Sequence, residues 1–155
     1  MTRALGLKCS KDSAEWAVLE GADRSSAVLV ANGRATAPAG SRGEQLVWIR
    51  GAVQEVLRAH AVEEVALRAV EPGGMGNSLP RAEVEGVVQE AIAAAGVPCR
   101  RVVAVTLRSA FGAKNGAELE KAAATVPVVA ATAKTRRDPV TAALVLLVAG
   151  AAPGF

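Results

Sequence analysis

Apolar runs separated by short polar turns fill the first third of the chain, and a three- and four-residue apolar spacing follows. Arg3–Cys9, Ala14–Glu20 and Ala27–Thr36 therefore read as three strands. The polar turn Ser10-Lys11-Asp12-Ser13 joins the first two, and Gly21–Ser25 joins the second to the third. Turns this short make consecutive strands antiparallel neighbours, so the three form a meander. Pro38–Gly43 is a Pro/Gly/Ser loop. Beyond it Leu46, Ile49, Val53, Val56 and Leu57 recur at helical spacing, predicting a helix that lies on a sheet and fades near His60. Glu64–Val70 predicts a fourth strand built on Val65-Ala66-Leu67. The glycines at 73, 74 and 76 make Pro72–Ser78 a loop. Pro80 opens a second helix with Val84, Val87, Val88, Ala91 and Ile92 inward; Gly96 ends it and Pro98 blocks continuation. Arg101–Val105 predicts the fifth strand. Thr106–Lys121 reads as helical pieces broken at Gly112 and Gly116, and Val126–Ala133 fits strand or helix equally. A final helix starts at Asp138, with Pro139 in its first turn and Val140, Ala143, Leu144, Leu147 and Val148 apolar.

Helical crossovers return the later strands parallel to the first. The expectation is an α/β fold: a mixed five-stranded sheet of order 3-2-1-4-5 with helices on both faces. At 155 residues the chain is long enough for one core and short for two. Residues 1–150 are expected to form one domain and 151–155 a tail.

Composition changes this picture little. Half the residues are apolar and a fifth charged, a globular mix. The net charge of +3 is compatible with a polyanion partner and equally with a genome that favours Arg. Cys9 and Cys99 lie far apart in apolar runs, with no CxxC pair and a single histidine, His60. No structural zinc or other metal and no cofactor is expected, and both thiols should be free and buried. The N-terminal region reads as a strand rather than a signal segment. The most apolar stretch, Ala142–Ala152, falls short of the roughly 20 residues of a membrane span. A cytoplasmic protein with no membrane partner is expected.

Three segments resemble a known family. Gly6-Leu7-Lys8-Cys9-Ser10 followed by Ala14–Leu19 resembles the opening hairpin of RuvC-type Holliday-junction resolvases, which read Gly, apolar, Asp and a small turn. Val65-Ala66-Leu67-Arg68 stands where that family has an apolar run ending in a catalytic Glu. Asp138-Pro139-Val140-Thr141-Ala142-Ala143-Leu144 resembles its closing Asp-x-x-Asp-Ala-Leu motif. The resemblance spans nearly the whole chain and implies a ribonuclease H-like fold. The block from Val65 to Glu85, with Arg68, Gly73-Gly74-Met75-Gly76 and Glu85, is also similar to a small bacterial family of unknown function with this fold.

The departures from the resolvase pattern bear on chemistry. Two-metal phosphodiester hydrolysis needs converging carboxylates that hold two divalent cations about 4 Å apart. Here the first-strand position is Lys8, the fourth-strand position Arg68 and the second acidic position of the last helix Thr141; only Asp138 remains. Nuclease activity through the usual site is therefore not expected. Asp12, Glu15, Glu71, Glu83 and Glu85 are the acids near enough in sequence to rebuild a site. All five read as solvated surface acids, although Glu71 could swing back into the cleft. Lys8 and Arg68 should lie in the crevice at the carboxyl ends of neighbouring parallel strands, facing Asp138. They form either an internal salt bridge or an anion site, which Lys11, Arg81, Lys134, Arg136 and Arg137 would extend. Three readings result: a non-cleaving module that holds nucleic-acid backbone or another phosphate-rich partner, a structural or protein-partner-binding homodimer assembled through an apolar helix face with no nucleic-acid role, and a metal-dependent nuclease using relocated carboxylates such as Glu71 and Asp138. The aromatics are only Trp16, Trp48, Phe111 and Phe155, which disfavours base stacking on a single strand.

Overall fold

The computed structural model describes residues 2–71 and 79–147. The predicted Gly-rich loop and the predicted tail lie outside them. The strands are β1 (Thr2–Cys9), β2 (Ser13–Gly21), β3 (Val28–Thr36), β4 (Glu64–Arg68) and β5 (Cys99–Val102). The helices are α1 (Arg42–Ala59), α2 (Leu79–Ala94), α3 (Ala104–Phe111), α4 (Gly116–Ala124), α5 (Pro127–Ala130) and α6 (Arg137–Leu144). The sheet order is β3-β2-β1-β4-β5, as the pattern predicts. β1 to β3 pair antiparallel, while β4 runs parallel to β1 and β5 parallel to β4.

Alternation along the central strand decides which layer goes where. Leu5, Leu7 and Cys9 of β1 point to one face, where they pack with Val18, Val65 and Leu67 against Ile49, Val53 and Leu57 of α1 and Val84, Val88 and Ile92 of α2. The intervening positions are small. Ala4 and Ala17 meet Val140, Ala143 and Leu144 of α6, and Ala66 meets Ala142. The apolar face of α6 is thus covered by the chain's own sheet, so over 137–147 it leaves no apolar stripe that needs a second subunit. Gly6 sets the closeness of that packing. A β-carbon there would overlap the Pro139 carbonyl and stand 3.0 Å from the Ala143 nitrogen.

Helix ends explain most boundary differences from the sequence pattern. Ser41 caps α1 by accepting from the Glu44 amide at 3.2 Å, so the helix starts at Arg42, inside the predicted loop. β5 ends at Val102, three residues before the predicted end, because α3 begins at Ala104. Its first amide is claimed by Glu71 Oε1 at 2.8 Å. The ambiguous Val126–Ala133 run is the single-turn helix α5, with Pro127 at its start. Arg24, in the β2–β3 turn, donates to the Ala110 carbonyl in the last turn of α3 and to the Leu144 carbonyl at the end of α6, both at 2.9 Å. Its guanidinium also lies 5.0 Å from the centre of the Phe111 ring. One cation therefore satisfies orphan carbonyls at two helix C-termini, where the macrodipole favours positive charge.

One of the two free thiols departs from expectation. Cys9 is buried, but Cys99 is exposed, because β5 is an edge strand with little over it. Among the described residues no helix is long and apolar enough to cross a membrane.

Candidate functional site

One transverse row of the sheet builds the site. Arg34 of β3 pairs with Glu15 of β2, Glu15 with Lys8 of β1, and Lys8 with Arg68 of β4. Residues paired directly across a sheet point to the same side. These four side chains therefore emerge together on the face that α6 covers, Lys8 and Arg68 at the carboxyl ends of their parallel strands.

The two central cations take different partners. The Lys8 ammonium donates to Asp138 Oδ2, at the start of α6. Arg68 Nη1 donates to Glu71 Oε1 at 3.1 Å and more weakly to the Val102 and Ala69 carbonyls. Glu71 is thus held from two sides. It caps α3, whose N-cap Val103 has no side-chain acceptor, and holds the Arg68 guanidinium. The Ala104 amide first, and Arg68 second, hold the Glu71 carboxyl below the ordinary carboxylate range. The predicted triangle of Lys8, Arg68 and Asp138 forms on one side only.

A cleft of about 370 Å³ opens beside the row. Arg68, Asp138 and Thr141 line it from the sheet and α6, and Lys134 and Arg137 from the segment leading into α6. Arg137 keeps its orientation by donating Nε to the Thr132 carbonyl at 2.9 Å. The far wall is α3 and α4, through Leu107, Leu119, Glu120 and Ala123. These four were not singled out from the sequence. The spacing of Leu119 and Ala123 was a usable signal, but the breaks at Gly112 and Gly116 masked which face they share. Counting Lys8 on Asp138, the cleft holds more positive than negative charge.

Three predicted members lie elsewhere. Lys11 is exposed in the β1–β2 turn, where its carbonyl accepts from Arg42 Nη1 at 2.7 Å. Arg81 belongs to α2, on the opposite face, and is consumed there. Its Nε donates to Glu85 at 2.9 Å and its Nη2 to the Arg68 carbonyl at 2.9 Å. Arg136 points away from the cleft into a small neighbouring pocket with Arg34, Glu15 and Thr135, where it donates to Asn32 Oδ1 at 2.8 Å.

Two acids are not the solvated surface groups the sequence implied. Glu85 is 3% exposed, held by Arg81 and by the Val70 amide at 3.0 Å. Glu15 has a buried Oε1 with no hydrogen-bond partner, directly across from Lys8. Glu83, by contrast, is a surface acid, 3.0 Å from Arg42.

The resemblance to resolvases implies a divalent-cation pair, and the donor set does not fit one. The corresponding positions present an ammonium, a guanidinium, a hydroxyl and one carboxylate already ion-paired. Among the described residues no three His, Cys, Asp or Glu side chains are grouped to hold a metal ion. Mg²⁺ needs anionic oxygen donors and is repelled by cations.

No protein-family model matches the chain, and no curated protein matches its sequence. Solved structures do match. The RuvC protein of T. thermophilus in complex with a Holliday junction substrate superposes with a TM-score of 0.74 at 20% identity, covering 94% of this chain and 92% of that one. A structure of Thermus thermophilus RuvC gives 0.75 at 19% identity over 93% and 92%. The yeast mitochondrial Holliday junction resolvase Ydc2 gives 0.58 at 8% identity over 93% and 78%. With the two RuvC structures superposing over 93–94% of it at TM-scores of 0.74–0.75, the chain has the RuvC-type, ribonuclease H-like fold.

Proposed function

We propose that this chain is a cytoplasmic, non-cleaving ribonuclease H-like module that holds the phosphate backbone of nucleic acid in the cleft beside α6. The observation that carries this is the sign of the central row. Lys8 and Arg68 stand at adjacent strand ends, and the carboxylate opposite them is already neutralised. Lys134 and Arg137 add two more cations to the same cleft. Phosphate oxygens suit such donors, and guanidinium in particular binds them through paired N–H bonds. The T. thermophilus neighbour is seen with a Holliday junction substrate, which makes junction DNA the first ligand to try.

Fluorescence polarisation with four-way junction, duplex and single-stranded DNA at several salt concentrations tests this. Three phosphate contacts predict a log–log salt slope of about −2.7. Lys134→Ala combined with Arg137→Ala removes two of them and brings the slope to about −1. Absence of binding to every form at low salt would refute the reading. So would cleavage with Mg²⁺ or Mn²⁺ that Asp138→Asn abolishes. A stable dimer by light scattering, with no DNA bound, would favour the assembly role instead.

A further inference from the structure

A groove made for phosphate backbone alone would be polar on every side, and this cleft is not. Its cations are confined to the sheet end and the approach to α6: Arg68 on β4, then Lys134 and Arg137. The far wall is aliphatic, made by Leu107 of α3, Leu119 and Ala123 of α4, and Val129 of α5. Leu107, Ala123 and Val129 are the outer edge of the core, while Leu119 is only partly buried. Glu120 lines the same wall, and its negative charge keeps phosphate away from that side. The volume of about 370 Å³ matches small-ligand pockets, which hold roughly 300–1,000 Å³ and combine apolar walls with a few placed polar groups.

We propose that the cleft takes a single nucleotide, its base on the aliphatic wall and its phosphate on Arg68, Lys134 and Arg137. The phosphate end of this inference rests on the backbone-binding reading above; the base end rests on the far wall. Every base has a flat face, so covering it with aliphatic side chains stabilises the complex whatever the sequence. No aromatic side chain lines the cleft among the described residues. None is required, because pockets that receive a base turned out of a helix hold it with apolar as well as aromatic groups. Charge sets the direction of entry: the phosphate goes to the cations and the base to the wall that carries Glu120.

Isothermal titration calorimetry of the full chain with dAMP, deoxyribose 5-phosphate and inorganic phosphate tests this. The nucleotide should bind at least about tenfold tighter than the sugar phosphate, the ratio that covering one face of a base supplies. Leu119→Gln should erase that ratio and leave the affinity for deoxyribose 5-phosphate unchanged. Lys134→Ala should weaken both ligands by the same factor. Should Leu119→Gln fail to fold by circular dichroism, saturation-transfer NMR on the wild type decides: the base protons of dAMP should receive more saturation than the sugar protons. Equal affinities, a ratio that survives in folded Leu119→Gln, or a stronger signal on the sugar would overturn the inference. A duplex with one unpaired adenosine that binds tighter than the fully paired duplex assigns the nucleotide to a strand; equal binding assigns it to free nucleotide. Junction DNA bound without any preference for dAMP would remove this inference and leave the backbone reading standing. A dAMP preference with no DNA bound would sink the backbone reading and keep the nucleotide site.

Discussion

Gly6→Ala should destabilise the protein by about 3 kcal/mol, and the sign of this effect is informative. In an unhindered strand the same change stabilises by roughly 0.5–1 kcal/mol, because glycine loses more backbone freedom on folding. Here the added methyl overlaps the Pro139 carbonyl and crowds the Ala143 nitrogen, both backbone atoms of α6. Side chains can rotate away from an intruder; a helix backbone bonded at both neighbouring turns cannot. Overpacking costs typically about 1–3 kcal/mol, and a backbone obstacle puts this case at the upper end. The nearby Lys8–Asp138 pair adds little to the total. Its partners are 39% and 61% exposed, and pairs that open to water contribute about 0–1 kcal/mol. For a chain of this length about 3 kcal/mol corresponds to a Tm lower by roughly 6–12 °C. Urea unfolding followed by circular dichroism gives the same quantity as a shift in midpoint at unchanged slope. A Gly6→Ala protein as stable as wild type, or more so, would mean that α6 does not sit this close to β1, and the geometry of Asp138 would have to be abandoned with it.

Three further outcomes are expected. Arg24→Ala removes two hydrogen bonds from a charged donor to helix-terminal carbonyls together with the Phe111 contact, and should cost about 2–4 kcal/mol, with hydrogen exchange quickening at the ends of α3 and α6. Glu71 has a folded pKa below its ordinary value of 4.5, so its contribution is complete above that value and is lost as pH falls through the lowered one. Stability measured against pH should therefore drop less steeply below pH 4.5 in Glu71→Gln than in wild type; parallel curves would contradict the capping role. Burial pushes the Cys9 thiol up to about 12; desolvation also raises the Cys99 thiol, but that residue is exposed to reagent. A thiol reagent at pH 8 should modify one cysteine in the native protein and both in urea, with mass spectrometry placing the first on Cys99.

The layer architecture was legible because it rests on periodicity, which each strand carries in its own residues. Leu5, Leu7 and Cys9 alternate with Ala4, Gly6 and Lys8, and the spacing of Ile49, Val53 and Leu57 matches the surface they cover. What the pattern could not carry were boundaries decided by partners distant in sequence. β5 ends early because Glu71, 33 positions from Ala104, caps the helix that follows. Cys99 looks buried in an apolar run, yet its strand is the edge of the sheet and the residue is exposed. Glu85 reads as a surface acid on a helix, and only the fold shows that Arg81 and the Val70 amide make its burial affordable.

For the site, the legible part was which positions meet and the opaque part was how their charges pair. Sequence spacing places Lys8 and Arg68 side by side at the strand ends, and the register bears this out. It cannot say that Arg68 turns to Glu71 while Lys8 alone takes Asp138, because that choice depends on where α3 begins. Nor can it show that Glu15 stands opposite Lys8 with one oxygen buried, since that position is set by the hairpin register. The consequence is a division of labour between the two cations. Arg68, tied to a carboxylate that also caps a helix, is fixed in direction and free to offer its remaining N–H groups to the cleft. Lys8, tied to the acid beside Pro139, neutralises charge that would otherwise repel a phosphate. Arg68→Ala should therefore weaken anion binding by removing a donor, whereas Lys8→Ala should weaken it by uncovering Asp138, and Asp138→Asn should restore binding to the second variant but not to the first.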